Sequence, residues 1–255
     1  MRAVTWNVNS LRVRLPRLLE LLELHAPDVV CLQETKCAVD GFPHLELREA
    51  GYAGVHHSAG RWAGVALLAR LPLEPSEPQL GLPGEPDPSE ARWCEATIGG
   101  IRFASVYVPN GRALDSPEYP RKLAFLEAMV RLVSSQAHQP CVIAGDMNIA
   151  PADIDVYDPR LFVGGTHVSA PERSALSQML DAGMVDAYRQ LHPGEQQFTW
   201  WDYRAGHFHK GLGLRIDLAL VSRELAPRLT SCGIDRGFRK GSKPSDHAPL
   251  LFELG

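Results

Sequence analysis

The sequence predicts a single α/β domain, spanning residues 1–255, that contains two or more β-sheets. Three observations support this fold class. Short apolar runs bounded by turn residues recur along the whole chain, several of them are almost continuously Val, Ile, Leu or Ala, and amphipathic helical patterns fall between them. Near-continuous apolar runs are typical of strands that are covered on both faces. With 45% hydrophobic residues, a chain of this length can bury one sizeable core.

The predicted strands occur in a regular succession. In chain order they are AVTW, DVVCLQE, GVALLARL, IRFASVYVP, PCVIAGD, LRIDLALV and APLLFEL. Three helices are predicted between them. The first has leucines at helical spacing and stops at Pro27, the second has an apolar stripe over 123–133 after a Pro-rich start at 117–120, and the third covers about 174–181 with Gly183 as its C-cap. The Pro-, Gly- and Glu-rich segment 72–88 is predicted to be a surface excursion inside the domain.

Composition excludes several classes of protein. No apolar stretch approaches the roughly 20 residues of a membrane span. The first ten residues mix polar and strand-like positions where a secretory signal needs an apolar segment, so a cytoplasmic protein is expected. The five cysteines are scattered without a Cys-x-x-Cys motif and are predicted to be reduced thiols. His207 and His209 form a His-x-His pair, but no acid or cysteine at zinc spacing accompanies them.

Charge is unevenly distributed along the chain. The formal net charge is −4, yet residues 204–243 contain nine Lys/Arg against three acids, whereas residues 74–95 contain six acids and one arginine. A polarised chain can present a basic face to phosphates even when its total charge is negative. A solvated surface explains such a run equally well.

Polar residues follow the predicted strands, where an α/β fold turns side chains into a crevice. Asn7 follows AVTW, Glu34 ends DVVCLQE, and Tyr107 ends FASVY; the others are Asp146 and Asn148 in GDMNIAP, Asp217 in LRIDLALV, and Asp246 and His247 in SDHAPL. Each alone has a structural explanation, such as a turn residue or a partner of Arg215. Four carboxylates in one crevice would repel one another unless a cation compensated them.

Oxygen ligands without cysteine favour a hard cation, Mg²⁺ or Mn²⁺, which retains waters and meets a phosphate. The sequence lacks a Walker-type loop, a dinucleotide fingerprint and a Gly-x-Ser-x-Gly elbow. The reaction left by these exclusions is attack on a metal-bound phosphate by a water molecule that a carboxylate activates. The residues therefore predict a phosphodiesterase.

Seven motifs carry a resemblance to a known family. TWNVNSLR, LQETK, VYVPNG, GDMNIAP, TWWDYR, LRIDLAL and SDHAPL resemble, in order and over residues 5–250, the motifs of the exonuclease III type of apurinic/apyrimidinic endonuclease, in the deoxyribonuclease I-like superfamily. The resemblance implies a four-layer α/β sandwich of two mixed sheets flanked by helices. It also implies Mg²⁺-dependent incision of duplex DNA 5′ to abasic sites, with 3′-to-5′ exonuclease and 3′-phosphatase or 3′-phosphodiesterase activity.

The resemblance also implies roles for residues. Glu34 is the principal metal ligand, assisted by Asn7 and, through water, by Asp246, in a metal site that also includes Asp146, Asn148 and His247. Asp146 orients or deprotonates the attacking water, Asn148 holds that geometry, and His247, oriented by Asp217, contacts the scissile phosphate. Tyr107 lies against the same phosphate or assists the leaving oxygen.

Substrate selection is implied to lie elsewhere. Trp200, Leu214 and Ile216 match the wall of a small apolar pocket for a flipped-out, base-free sugar. Trp201 is predicted to pack in the core. Candidate phosphate contacts are Arg204, Lys210, Arg239, Lys240 and Lys243.

Several alternatives stay open. The loop 205–211 does not match a standard family loop, so the balance between endonuclease and exonuclease action is undecided. Three other functions are compatible with the same fold. They are an exonuclease-dominant member with weak abasic-site activity, a superfamily phosphoesterase for inositol phosphates, sphingolipids or RNA tails, and a catalytically silent DNA-binding protein. We expect a monomer of the compact bacterial type that associates with the nucleoid through duplex DNA with abasic sites or blocked 3′ ends, and no membrane.

Overall fold

The structure, a computed structural model, describes residues 1–135 and 139–255. In these ranges the chain forms twelve β-strands and six α-helices. The strands are β1 (Arg2–Asn7), β2 (Val29–Gln33), β3 (Tyr52–Ala59), β4 (Trp62–Arg70), β5 (Ser76–Leu80), β6 (Trp93–Ile98), β7 (Ile101–Tyr107), β8 (Cys141–Asp146), β9 (Met184–Asp186), β10 (Asp217–Ser222), β11 (Leu229–Ile234) and β12 (Leu250–Leu254). The helices are α1 (Leu11–His25), α2 (His44–Glu49), α3 (Glu118–Ser135), α4 (Ala170–Asp181), α5 (Ala187–Leu191) and α6 (His207–Lys210).

The strands form two six-stranded sheets. The first has the order β11-β12-β1-β2-β4-β3 and the second has the order β5-β6-β7-β8-β10-β9. Strand β1 pairs parallel with β2, and β7 pairs parallel with β8. The other pairings between these strands are antiparallel. Both sheets are therefore mixed.

The two sheets pack face to face around the central core. Alternate side chains of the inner strands point into it, for example Cys31 of β2, Leu67 of β4, Phe103 of β7 and Val221 of β10. A second apolar cluster joins α1 to the outer face of the first sheet, and a third joins α3 and α4 to the outer face of the second. The layers run helix, sheet, sheet, helix, which confirms the predicted four-layer sandwich.

The predicted helices are present with different bounds. Helix α1 ends at His25, where Ala26 adopts a left-handed conformation. Helix α4 starts at Ala170, four residues before the predicted start, because Ser169 and Glu172 form a capping box. Its C-cap is Ala182, and Gly183 follows with a φ of 112°.

Some strands differ from the prediction. The apolar run LRIDLALV becomes a strand only from Asp217 onward, since Leu214 makes isolated bridges with Val156 and Trp200. The excursion 72–88 contains β5, which lies at a sheet edge and is mostly exposed. Its polar sequence, SEPQL, lacks the apolar alternation that would have indicated a strand. The five cysteines are free thiols, four of them buried.

No helix in the described ranges is both long enough and apolar enough to cross a membrane.

Candidate active site

Strand geometry brings polar side chains to one edge of the packed sheets. Strands β1, β2, β7 and β8 end at this edge, whereas β10 and β12 begin there because they run antiparallel to β8 and β1. Asp217 pairs directly with Asp146 across the two strands. The side chains that meet here are Asn7, Glu34, Tyr107, Asp146, Asp217 and His247.

A buried amide joins two of the carboxylates. Asn7 is fully buried, and its Nδ2 donates to Glu34 Oε1 at 2.8 Å and to Asp146 Oδ2 at 2.9 Å. One ligand atom each from Glu34, Asp146 and His247 lies within 4.8 Å of the others. The amide thus fixes two acids at the distance at which one cation can contact both.

An Asp–His pair lies beside them. His247 Nδ1 is 2.8 Å from Asp217 Oδ2, and its Nε2 is 3.8 Å from Asp146 Oδ2. Asp217 thereby sets the tautomer and orientation of the imidazole. Arg215 is not the partner of Asp217, because its guanidinium pairs with Asp155 and Asp186.

Burial and mutual repulsion shift the pKa values of these groups. Burial raises the pKa of Asp146 to about 7; the charges of Asp217 and Glu34 add to the shift and His247 opposes it. Burial alone would lower the pKa of His247, but the charges of Asp217 and Asp146 outweigh it and raise the pKa to about 10. The crowded acids destabilise one another's charged forms, which a bound cation would relieve.

Tyr107 and Asp246 lie at the mouth of the cluster and line one cavity of about 210 Å³ with it. Burial, followed by the charges of Glu34 and Asp146, raises the pKa of the Tyr107 phenol above its usual value, so the phenol keeps its proton. Asp246 accepts from Trp200 Nε1 at 3.1 Å and from Asn9 Nδ2 at 2.9 Å. These two donors hold the Asp246 carboxylate beside the cluster.

Asn148 is held in an unusual backbone conformation with a φ of 50°. Its amide donates to Val108 O at 2.9 Å, its Oδ1 accepts from Asn110 Nδ2 at 3.1 Å, and its N–H donates to Asp146 Oδ1 at 2.9 Å. The Asn148 side chain is therefore fixed on several sides next to the catalytic candidates.

His167 was missed at the sequence level, although it lines the same cavity as Asn148, Trp200 and Ile216. Its Nδ1 lies 2.6 Å from Asn148 O, and its φ is 73°. Burial and then the charge of Lys122 lower the pKa of the imidazole to about 4, so it is neutral. It sits in a loop that follows no strand, so no pattern in the sequence marks it. Asn110 was within reach of sequence reasoning, since it lies in the motif VYVPNG.

Two of the three residues predicted for the sugar pocket line this cavity. Trp200 and Ile216 line the cavity, whereas Leu214 is buried in an apolar cluster with Val156 and does not line it. Leu214 packs in the same apolar cluster as Ile216 and Trp200, so it supports the two residues that line the cavity. Trp201 is fully buried, in line with its predicted core position.

The candidate phosphate contacts divide into two groups. Arg239 is a correction: it is 6% exposed, and its guanidinium donates to the carbonyls of Ser245 and Trp201, so it supports the loop rather than facing solvent. Arg204 is exposed and pairs with Asp202. The free cationic surface near this loop is formed by Lys210, Lys240 and Lys243, which are exposed.

The donor set fits a hard divalent cation. Glu34 and Asp146 offer carboxylate oxygens, and the Nδ2 group of Asn7 holds them together while its Oδ1, which accepts from the Asn9 N–H, is the amide atom able to ligate a cation. Lys36 Nζ lies 2.6 Å from Glu34 Oε2, so an ammonium already neutralises one acid at the mouth of the cluster.

A four-layer sandwich with acids, amides and an Asp–His pair at one sheet edge defines a class of proteins, the metal-dependent phosphoesterases. The comparisons agree with that class. The model of the endonuclease/exonuclease/phosphatase family matches residues 4–247.

Three relatives illustrate the similarity. Exodeoxyribonuclease III of Haemophilus influenzae is 33% identical over 100% of both chains. Two solved structures of NExo, named as a 3′-5′ exonuclease from Neisseria meningitidis and as a 3′ phosphatase from Neisseria bound to product DNA hairpin, are 41% and 40% identical with TM-scores of 0.96, and each alignment covers 100% of this chain and 99% of the other. An AP endonuclease from Archaeoglobus fulgidus is 36% identical with a TM-score of 0.95, again over 100% and 99%.

The chain belongs to the endonuclease/exonuclease/phosphatase family, and within it to the exonuclease III type of AP endonuclease.

Proposed function

We propose that this enzyme hydrolyses phosphate esters of duplex DNA in repair, chiefly at 3′ ends. The observation that carries the chemistry is the cluster in which Glu34, Asp146 and His247 present ligand atoms within 4.8 Å of one another beside Asp217. The solved NExo structure with a product DNA hairpin, at 40% identity, supports DNA as the partner.

The proposed cofactor is Mg²⁺, with Mn²⁺ as a substitute. Glu34 would be the principal ligand, with Asn7, Asp146, Asn148 and, through water, Asp246 completing the site, while His247, whose Nδ1 faces Asp217, lies beside it as a donor. When bound, the cation supplies Lewis-acid polarisation of the phosphate and neutralises its charge. Oxygen-rich donors favour Mg²⁺ over softer metals.

The protein groups would divide the remaining work. Asp146 accepts a proton from the attacking water, since its buried carboxylate is held by Asn7 and lies near His247. His247, oriented by Asp217, donates from Nε2 to the phosphate and stabilises the negative charge that develops there. Asn148 holds the water in line, and Tyr107 lies against the phosphate or assists the leaving oxygen.

One observation favours 3′ ends over internal abasic sites. A base-free sugar would enter the cavity beside Trp200 and Ile216. The His167 imidazole lines the same cavity. The imidazole ring, held at 2.6 Å from Asn148 O, forms part of the cavity wall on the side of Trp200 and Ile216, where a larger side chain leaves less room than a small one would. Extruded sugars need room, whereas a terminal 3′ phosphate reaches the cluster without extrusion.

Abasic-site incision is the second candidate function. It is supported by the AP endonuclease from Archaeoglobus fulgidus, at 36% identity, and by the pocket-lining Trp200. We further propose a monomer that works on the chromosome in the bacterial cytoplasm, with Lys210, Lys240 and Lys243 as phosphate contacts.

A substrate comparison tests the proposal. Single-turnover rates are measured with Mg²⁺ on one duplex with a 3′ phosphate at a recessed end and on another with an internal abasic analogue. The wild type should process the 3′ end faster. His167→Gly, which suits the φ of 73°, should gain abasic incision while changing 3′ processing less.

His44→Ala, at an exposed histidine on α2, is the matched control and should change neither rate. Faster abasic incision than 3′ processing by the wild type would overturn the 3′-end preference. Cleavage of neither duplex would overturn the function as a whole.

A further inference from the structure

A fully buried ion pair lies behind the cluster and is not explained by the roles above. Lys122 of α3 and Glu172 of α4 are both 0% exposed, and Lys122 Nζ contacts Glu172 Oε1. Burying two charges is costly, and replacing such a pair by apolar residues is often neutral or stabilising. The pair therefore calls for an explanation other than stability.

Lys122 donates to groups that belong to the active-site loops. Its Nζ lies 2.7 Å from Asn148 O, 3.2 Å from Asn110 O and 3.3 Å from Thr166 Oγ1. Asn110 in turn donates its side-chain amide to Asn148 Oδ1 at 3.1 Å. One ammonium thus fixes both the backbone of Asn148 and the residue that orients its side chain.

Glu172 holds the loop that carries His167. Its Oε1 accepts from Thr166 Oγ1 at 2.8 Å and from the backbone N–H of His167 at 3.0 Å. Its Oε2 accepts from the backbone N–H of Ser169 at 2.9 Å and from Ser169 Oγ at 2.6 Å. Since His167 Nδ1 also contacts Asn148 O, both ends of the ion pair converge on Asn148.

We propose that Lys122 and Glu172 are positioning residues, which hold Asn148 and the His167 loop in the geometry that the reaction needs. The inference rests on the proposed function and extends it to two residues that do not touch the substrate. Asn148 has a φ of 50°, a conformation that depends on surrounding contacts. Lys122 contacts the Asn148 carbonyl from a position that does not line the cavity, and Asn110, which does line it, contacts the Asn148 side chain.

The test replaces both charges at once, so that neither is left buried alone. Lys122→Met with Glu172→Gln keeps the side-chain lengths and leaves an amide on α4 that can still bond Thr166 and His167, but it removes the donor to Asn148 O. The matched control is Arg102→Met with Glu95→Gln, an ion pair with an N–O distance of 2.7 Å at the opposite end of β7 from Tyr107.

Turnover on the 3′-phosphate duplex should fall about tenfold in the Lys122/Glu172 variant, with KM changed less, because misplacing a positioned group slows the chemical step. The control should keep wild-type turnover. In an Asn148→Gly background, adding the Lys122/Glu172 changes should cause no further loss of turnover, because the pair acts through Asn148. Additive losses, or wild-type turnover in the paired variant, would overturn the inference.

A readout that is independent of activity separates this inference from the function. The side-chain amide resonances of Asn148, assigned by their loss in Asn148→Gly, should shift in the Lys122/Glu172 variant and stay in place in the Arg102/Glu95 control. Unchanged resonances would overturn the positioning role. A wild-type protein that cleaves no DNA would sink the proposed function, while the resonances would still decide the role of the ion pair.

Discussion

Asp146 and His247 face each other at 3.8 Å with buried side chains, and each has a pKa displaced from its ordinary value. Such displaced groups cluster where proton transfer and charge stabilisation take place. The contacts of Asn7 and Asp217 fix both side chains before any substrate arrives. The site is preorganised by hydrogen bonds, not by the cation alone.

Replacing either group should stop turnover without stopping DNA binding. Asp146→Asn or His247→Ala is expected to lower the single-turnover rate of 3′-phosphate release by about a thousandfold or more, because each removes a proton acceptor or a charge-stabilising donor. Fluorescence anisotropy with labelled duplex should show a Kd close to that of the wild type. A near-normal rate in either variant would remove its assigned role.

At the residue scale, the sequence indicated the acids well but the surroundings poorly. Glu34, Asp146 and Asp217 could be anticipated because a carboxylate at the end of an apolar run, or inside one, is costly unless it is paired or binds a cation. His167 and Lys122 could not, since a histidine in an irregular loop and a lysine on an amphipathic helix look like ordinary surface residues. Their burial arises only when loops distant in sequence pack together.

At the scale of elements, β7 and β8 approach so closely that only glycine fits at one position. A Cβ added to Gly145 would lie 1.9 Å from Val106 O in the neighbouring strand. Asp146 follows directly, so this close approach sets where the catalytic carboxylate emerges.

Gly145→Ala is therefore expected to destabilise the protein by about 3 kcal/mol or more, since the clash involves backbone that cannot move without breaking the β7–β8 ladder. Chemical denaturation measures the loss. Gly194→Ala is the control, because a Cβ there meets nothing within 4 Å. Equal stabilities of the two variants would contradict the close packing of β7 against β8.

The loop between β5 and β6 contains an acid that weakens the fold at high pH. Burial raises the pKa of Glu85 to about 7, and its Oε2 has no hydrogen-bond partner among the described residues. The folded-state pKa lies above the ordinary value of 4.5, so this group's contribution to stability is complete below that value and is lost as pH rises through 7.

Glu85→Gln should consequently gain in melting temperature relative to the wild type as pH is raised from 5 to 8. Thermal denaturation followed by circular dichroism at several pH values measures this difference. If the melting temperature of Glu85→Gln minus that of the wild type stays constant with pH, or falls as pH rises, the pKa of the Glu85 carboxyl is not raised in the folded protein.

Element prediction succeeded where burial produced a pattern. Strands β2, β4 and β8 are buried on both faces and read as apolar runs. Strand β5 is an exposed edge strand with polar residues, so hydrophobic periodicity could not indicate it. Helix α4 was placed too late because its first turn is marked by a capping box and not by apolar spacing.

At the scale of the whole molecule, the net charge of a sequence segment was a poor guide to the charge that it exposes at the surface. The segment 204–243 is strongly basic by count, yet Arg215 and Arg239 are buried and Arg204 is paired. Only a three-dimensional arrangement separates structural arginines from those that face solvent. The residue patterns alone predicted an α/β domain with two or more sheets, and the sandwich itself could be predicted only through the resemblance of seven motifs to a known family.

The assignment of residues 1–255 to one domain stays a prediction. The central core takes side chains from both sheets, so we expect a single cooperative unfolding transition. Differential scanning calorimetry should give one peak whose calorimetric and van't Hoff enthalpies agree. Two separable transitions would indicate two folding units.

The most direct test of the central claim is the cation dependence of phosphate release from a duplex with a 3′ phosphate. The arrangement of Glu34, Asn7 and Asp146 predicts release with Mg²⁺, none in EDTA, and a requirement for more Mg²⁺ in Glu34→Gln. Equal release in EDTA, or no release with either addition, would contradict the assignment of this cluster as a cation-dependent phosphoesterase site.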